Sequence, residues 1–114
     1  MNDLALALVE GKIRQAREQF LEPPLPVDDV GHMRRIGAWR RWDGSCAELV
    51  RALAGAEAAA DFDQVQATAA PVNDPDRLIA VGANLVNVIS RKIGWLEEFK
   101  RRLETRETLR EIRG

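Results

Sequence analysis

The stretch that decides the fold is LIAVGANLVNVISRKIGWLEEFKRRL, residues 78–103. Within it Leu78, Gly82, Leu85, Ile89, Ile93, Leu96, Phe99 and Leu103 recur at intervals of three and four, which sets them on one stripe of an α-helix. Just before it, Asp74 has the chemistry of a cap, Pro75 suits the first helical position and Asp76 suits the first turn. About 30 residues at 1.5 Å each span roughly 45 Å, more than a compact domain of this size needs across its width. Part of this helix is therefore expected to project. Ile79, Val81, Val86 and Val88 add apolar groups around its circumference, as in a central bundle helix or an interface helix. Past Leu103 the stripe breaks, because Leu109 and Ile112 fall on the opposite side. Residues 105–114 are thus read as a bend, a frayed end or a separate contact segment.

Toward the N-terminus, Leu6, Val9, Ile13, Ala16 and Phe20 form a second stripe behind Asn2 or Asp3 as cap, with Lys12, Arg14, Arg17 and Glu18 outside it. Pro23, Pro24 and Pro26 end that helix near Glu22 and make residues 22–27 an extended strap, pinned by Leu25 and Val27. Asp28 or Asp29 caps a helix to about Trp42, with Asp43-Gly44 read as its stop. The apolar residues of that helix, Val30, Met33, Ile36, Trp39 and Trp42, recur every three positions, which drifts around the helix rather than holding one face. Ser45-Cys46-Ala47-Glu48 has the form of a capping box and predicts a new helix burying Leu49, Val50, Leu53 and the small Ala56 and Ala60. A short fourth segment restarts at Asp61 with Phe62 and Val65, and residues 69–74 read as a loop. With no strand pattern and no internal repeat, the expectation is all-α: one domain, residues 1–114, as a small bundle of four or five helical segments with a long C-terminal helix.

The chain of 114 residues is long enough to bury its own core without disulfide or metal, and its single Cys46 permits no internal disulfide. Leu4 to Val9 is too short for a secretory core or a membrane span, so the expected location is cytoplasmic, with no membrane association. Charge alternates in blocks: net −3 over residues 1–31 (three basic, six acidic), +4 over 32–42, −6 over 43–76 (one basic, seven acidic) and +4 over 77–114 (nine basic, five acidic). Oppositely charged helices lying side by side explain this more simply than an external polyanion.

No catalytic residue, cofactor site or metal site is assigned. One histidine, His32, cannot supply the repeated ligands of a helical metal site, and near a helix start it reads as a surface or capping residue. Cys46 reads as a small buried hydrophobe, and Ser45 as a cap rather than a nucleophile. Asp61 and Asp63 are spaced like caps and solvated turns. In the segment 33–42, Arg34, Arg35, Arg40 and Arg41 are interleaved with Trp39 and Trp42. Such residues could clamp phosphates and stack on bases. The favoured reading has the tryptophans anchoring the bundle and the arginines paired with the acidic middle segment.

Trp42-Asp43-Gly44 resembles the Trp-x-Gly turn of the small helical-hairpin substrates of type VII secretion. The likeness covers three residues, and the chain lacks both an unbroken first helix and a tyrosine for a C-terminal signal, so membership is not inferred. The expected function is that of a non-enzymatic interaction or assembly protein partnered by itself or another protein. Val86, Val88, Trp95, Leu109 and Ile112, off the main stripe, are its candidate interface. The alternative is a small nucleic-acid-binding regulator using Arg34, Arg35, Arg40 and Arg41.

Overall fold

The computed structural model describes residues 2–24, 28–65 and 77–113, with side chains from residue 3 onward in the first two spans and over 85–105 in the third. Four α-helices follow in order: α1 (Asn2–Ala16), α2 (Asp29–Ala54), α3 (Ala56–Asp63) and α4 (Arg77–Arg113). No strand occurs among the described residues, so the all-α class and the long C-terminal helix are as the sequence implies. Leu25, Val27, the loop 69–74 and the cap residues Asp74, Pro75 and Asp76 lie outside the described residues.

Val9, Ile13, Ala16 and Phe20 are all buried, on the spacing read from the sequence. Phe20 belongs to a single π-helical turn, Arg17–Leu21, closed by the Glu22 amide on the Arg17 carbonyl at 2.9 Å. The prolines then stop the chain, and Asp28 restarts it by accepting the Gly31 amide at 2.7 Å on Oδ1.

From Asp29 the helix does not stop at Asp43-Gly44, and this is the main departure from the sequence reading. Ser45, expected to cap a new helix, is mid-helix: its hydroxyl donates to the Trp42 carbonyl at 3.1 Å and accepts from Lys12 Nζ at 2.7 Å. A capping box is only a local preference, and a serine inside a helix can satisfy its hydroxyl on the preceding turn instead. Trp42-Asp43-Gly44 is accordingly helical, not the turn of the family it resembles.

The buried face of α2 also differs. His32, Trp42, Cys46 and Val50 are buried, with Arg35, Trp39 and Leu53 half-buried between them, a regular stripe of threes and fours. Val30 and Met33, read as part of the apolar series, are 60% and 71% exposed. Two polar members, His32 and Arg35, hide the true stripe from a reading by hydrophobicity alone.

The break falls at Gly55 instead, with φ 94° and ψ 176°, a conformation essentially confined to glycine. It ends α2 and starts α3 one residue later. This resets the register, so Ala59 and Phe62 are buried while Ala56 and Ala60, expected inside, are exposed.

Cross-links fix the directions. The Trp42 indole donates to the Lys12 carbonyl at 2.9 Å and Arg35 Nη2 to the Phe20 carbonyl at 2.7 Å, so α1 and α2 are antiparallel. Lys100 pairs with Glu10 at 2.7 Å and Arg17 with Glu97, so α4 also opposes α1. Gly55 reverses α3 onto α2. The result is an up-down-up-down bundle with a short third helix, 60 Å in its long dimension and 24 × 18 Å across. A 37-residue α4, about 55 Å at 1.5 Å per residue, accounts for that length.

Leu85, Ile89, Ile93, Leu96 and Phe99 carry the buried stripe of α4 and Leu103 is half-buried at its margin. The Lys100 hydrogen bond holds the Glu10 carboxyl below its ordinary range. The stabilisation from this pair is therefore present above that range and lost as pH falls through the depressed value. It is small, because both groups reach solvent.

Glycine substitutions separate the two backbone roles. A Cβ at either Gly44 or Gly55 would meet no atom within 4 Å, so sterics against neighbours do not distinguish them. Gly55→Ala is expected to cost about 1–3 kcal/mol through its positive φ. Gly44→Ala, inside α2, is expected to stabilise by about 0.5–1 kcal/mol. Chemical denaturation of the two variants checks both signs; a destabilised Gly44→Ala would mean that the chain turns there.

Candidate functional site

An aromatic series runs through all four helical layers. Phe20 meets Trp42 edge-on (centroids 6.3 Å), Trp42 meets Phe62 (6.5 Å), Phe62 meets Trp95 (5.2 Å), and Trp95 stacks on Phe99 (5.3 Å, 21°). Beside it lies the buried Lys92, paired with Asp43, its ammonium 4.5 Å from the Phe62 ring centroid and 5.9 Å from that of Trp39. A cation in this position gains from both the carboxylate and the ring faces, which offsets its desolvation.

The sequence-expected interface residues divide. Val86 and Val88 are half-buried on α4. Trp95 is half-buried too, but it packs on Phe62 and Phe99, and its indole donates to Asp61 Oδ2 at 2.9 Å. It thus belongs to the edge of the internal cluster rather than standing apart from the core, and Asp61 is its anchor rather than a cap. Leu109 and Ile112 lie on α4 with side chains outside the described residues.

Of the four arginines, Arg35 is half-buried and committed to the Phe20 carbonyl, with its Nη1 buried and without a hydrogen-bond partner. Arg34, Arg40 and Arg41 are exposed and make no ion pair among the described residues. The expected pairing with the acidic middle segment is absent there; Lys92 takes Asp43 instead, because α4 and not the start of α2 lies beside it. Trp42 is buried, while Trp39 is half-buried, its indole nitrogen buried without a hydrogen-bond partner and the Lys92 ammonium 5.9 Å from its ring centroid.

His32, expected at the surface, is 7% exposed on the inner face of α2. Among the described residues no three His, Cys, Asp or Glu side chains come together as a metal-ion site. Among the same residues no helix is long and apolar enough to cross a membrane.

Two surface features stand out that the sequence reading missed. Between α3 and α4 runs a groove of about 510 Å³ lined by Ala54, Ala58, Trp95, Phe99 and Leu103, with Glu57, Asp61, Gln64 and Arg102 at its margins. On the outer side of α2, Val30, Met33, Gly37 and Ala38 form an apolar face flanked by Asp29, Arg34 and Arg41. Val30 and Met33 look like core residues in the sequence, which conceals the second. The first depends on the register reset at Gly55. A search of family models, curated proteins and solved structures found no match.

Cys46 is fully buried, and burial pushes its thiol up to about 12 from an ordinary 9.0. Above pH 9 the unfolded chain releases a proton that the folded chain keeps, so stability falls as pH rises from 9 to 12. An aromatic disulfide reagent at pH 8 is expected to leave the native protein unmodified and to react at once in denaturant. Rapid native reaction would place Cys46 at the surface.

Proposed function

We propose that this chain is a helical interaction or assembly protein, working by presenting helix faces to a partner, a second copy of itself included, rather than by catalysis. The observation that carries this reading is the apolar surface left over once the core is complete. Leu4 and Leu8 on α1 are 66% and 46% exposed, and so, toward the other end of the bundle, are Val30 and Met33 on α2, while the inner faces of the same helices are packed. Large apolar groups that a bundle does not need for its own core are the usual material of protein interfaces. The sole cysteine and the sole histidine are both buried, which withdraws the two most versatile catalytic side chains from substrates.

Nucleic-acid binding is the second reading, favoured by the exposed Arg34, Arg40 and Arg41, which make no ion pair among the described residues. Against it stands the burial of Trp42, which leaves only the half-buried Trp39 in this segment for base stacking.

Light scattering across micromolar concentrations is expected to find a dimer or larger species. A strict monomer throughout would remove self-association and leave only a different protein as partner. Titration with labelled DNA and RNA is expected to show weak association that disappears near physiological salt, as a purely electrostatic contact does. A sub-micromolar complex surviving there would establish the second reading instead.

A further inference from the structure

The two surface features just described are complementary to each other. On the outer side of α2, Val30, Met33 and Gly37 fall at i, i+3 and i+7, the spacing with which an amphipathic helix seats in an apolar groove. Gly37 leaves that ridge low: a Cβ there would meet only Arg41 Nη1, at 3.7 Å, so another backbone can come close. Arg34 and Arg41 border the ridge and have no ion-pair partner among the described residues, and Asp29 is the one acidic residue beside it.

The α3–α4 groove has the opposite character. Its floor is the stacked Trp95 and Phe99 with the small Ala54 and Ala58, which admit close approach. Its α3 side carries Glu57 and Asp61, and α3 contains no basic residue at all. Arg102 on the other side is engaged by Glu98 at 3.8 Å. A basic helical ridge and an acidic apolar groove therefore occur on one chain. Met33 and Ala54 stand about 30 Å apart along one unbroken helix, so a molecule cannot fill its own groove with its own ridge.

We propose that the Val30–Met33–Gly37 ridge of one copy docks in the α3–α4 groove of a second copy, Arg34 and Arg41 facing Glu57 and Asp61. This rests on the interaction reading above and specifies it. Because the two surfaces differ, the contact is heterologous: each added copy leaves a free ridge and a free groove, and the series grows unless its rotation closes a ring.

The test uses charge reversal on each face, in the full chain. One variant carries Arg34→Glu and Arg41→Glu; the other carries Glu57→Arg and Gln64→Arg, sparing Asp61 because it holds the Trp95 indole. All four positions are exposed, so circular dichroism should match the wild type and report folding independently. Each variant alone is expected to self-associate roughly tenfold more weakly or worse, as like charges meet across the contact. Mixing the two is expected to restore association, since the reversed ridge meets the reversed groove and the unaltered pair remains available. Wild-type association in either single variant would overturn this docking while leaving self-association intact. Loss in both without rescue by mixing would overturn the pairing of these two faces. A monomeric wild type would overturn the docking and self-association together, and DNA binding lost only with Arg34→Glu and Arg41→Glu would assign the arginines to nucleic acid.

Discussion

Trp42 is the constraint on which the rest of this bundle depends. Its ring lies between Phe20 at the end of the first helix and Phe62 on the third, and its indole nitrogen is committed to a backbone carbonyl of α1. A buried indole N–H without a partner costs about 1–3 kcal/mol, so the bond to Lys12 fixes the height at which α2 crosses α1. From that height the other registers follow. Ser45 reaches Lys12, Arg35 reaches the Phe20 carbonyl, and Asp43 on the adjacent turn meets Lys92 of α4. Edge-to-face aromatic pairs of this kind add roughly 0.5–1.5 kcal/mol each beyond their buried area.

The short α3 is what gives the molecule its usable surface. Phe62 completes the aromatic series, but the helix that carries it begins only at Ala56, and α4, antiparallel to it, runs on past that end to Arg113. Two neighbours of unequal length leave a groove where side chains of the longer one stand partly uncovered, and here these are Trp95 and Leu103, over the buried Phe99. Polar anchoring keeps them ordered: Asp61 holds the Trp95 indole in place. At the other end, the straightness of α2 through Gly44 carries the arginine-bearing ridge away from the groove. The alternating charge blocks of the sequence thus become two local uses. Some opposite charges pair between packed helices, as Glu10 does with Lys100, and others stay separated on different faces.

Much of the fold was legible because it rests on periodicity. The stripes of α1 and α4 are apolar at the buried positions except Lys92, and the prolines at 23 and 24 admit only one place for the first helix to end. The middle of the chain was not legible in the same way. Its inner stripe includes the polar His32 and Arg35, and the contact that engages Arg35, the Phe20 carbonyl across the proline strap, lies outside any local window. Ser45-Cys46-Ala47-Glu48 carries a genuine capping signal, overridden by the burial of Trp42 and Cys46 on the same helical face. Gly55, with no flanking turn residue, gave no sign that it would take the positive φ. Among the interface candidates, Trp95 lies at the edge of the internal cluster, and its cover, Phe62, depends on a register set at Gly55, which no local pattern announces.

If Trp42 sets the registers of this bundle, its indole proton should be released only when the whole bundle opens. Native-state hydrogen exchange of the three indole N–H groups, followed by NMR over increasing denaturant, measures this directly. The account predicts that the Trp42 indole exchanges with the free energy and denaturant dependence of global unfolding, while the half-buried Trp95, whose indole N–H is bonded to the exposed Asp61 at the edge of the groove, exchanges through a smaller local opening. Exchange of Trp42 through a low-energy, denaturant-independent fluctuation would contradict it.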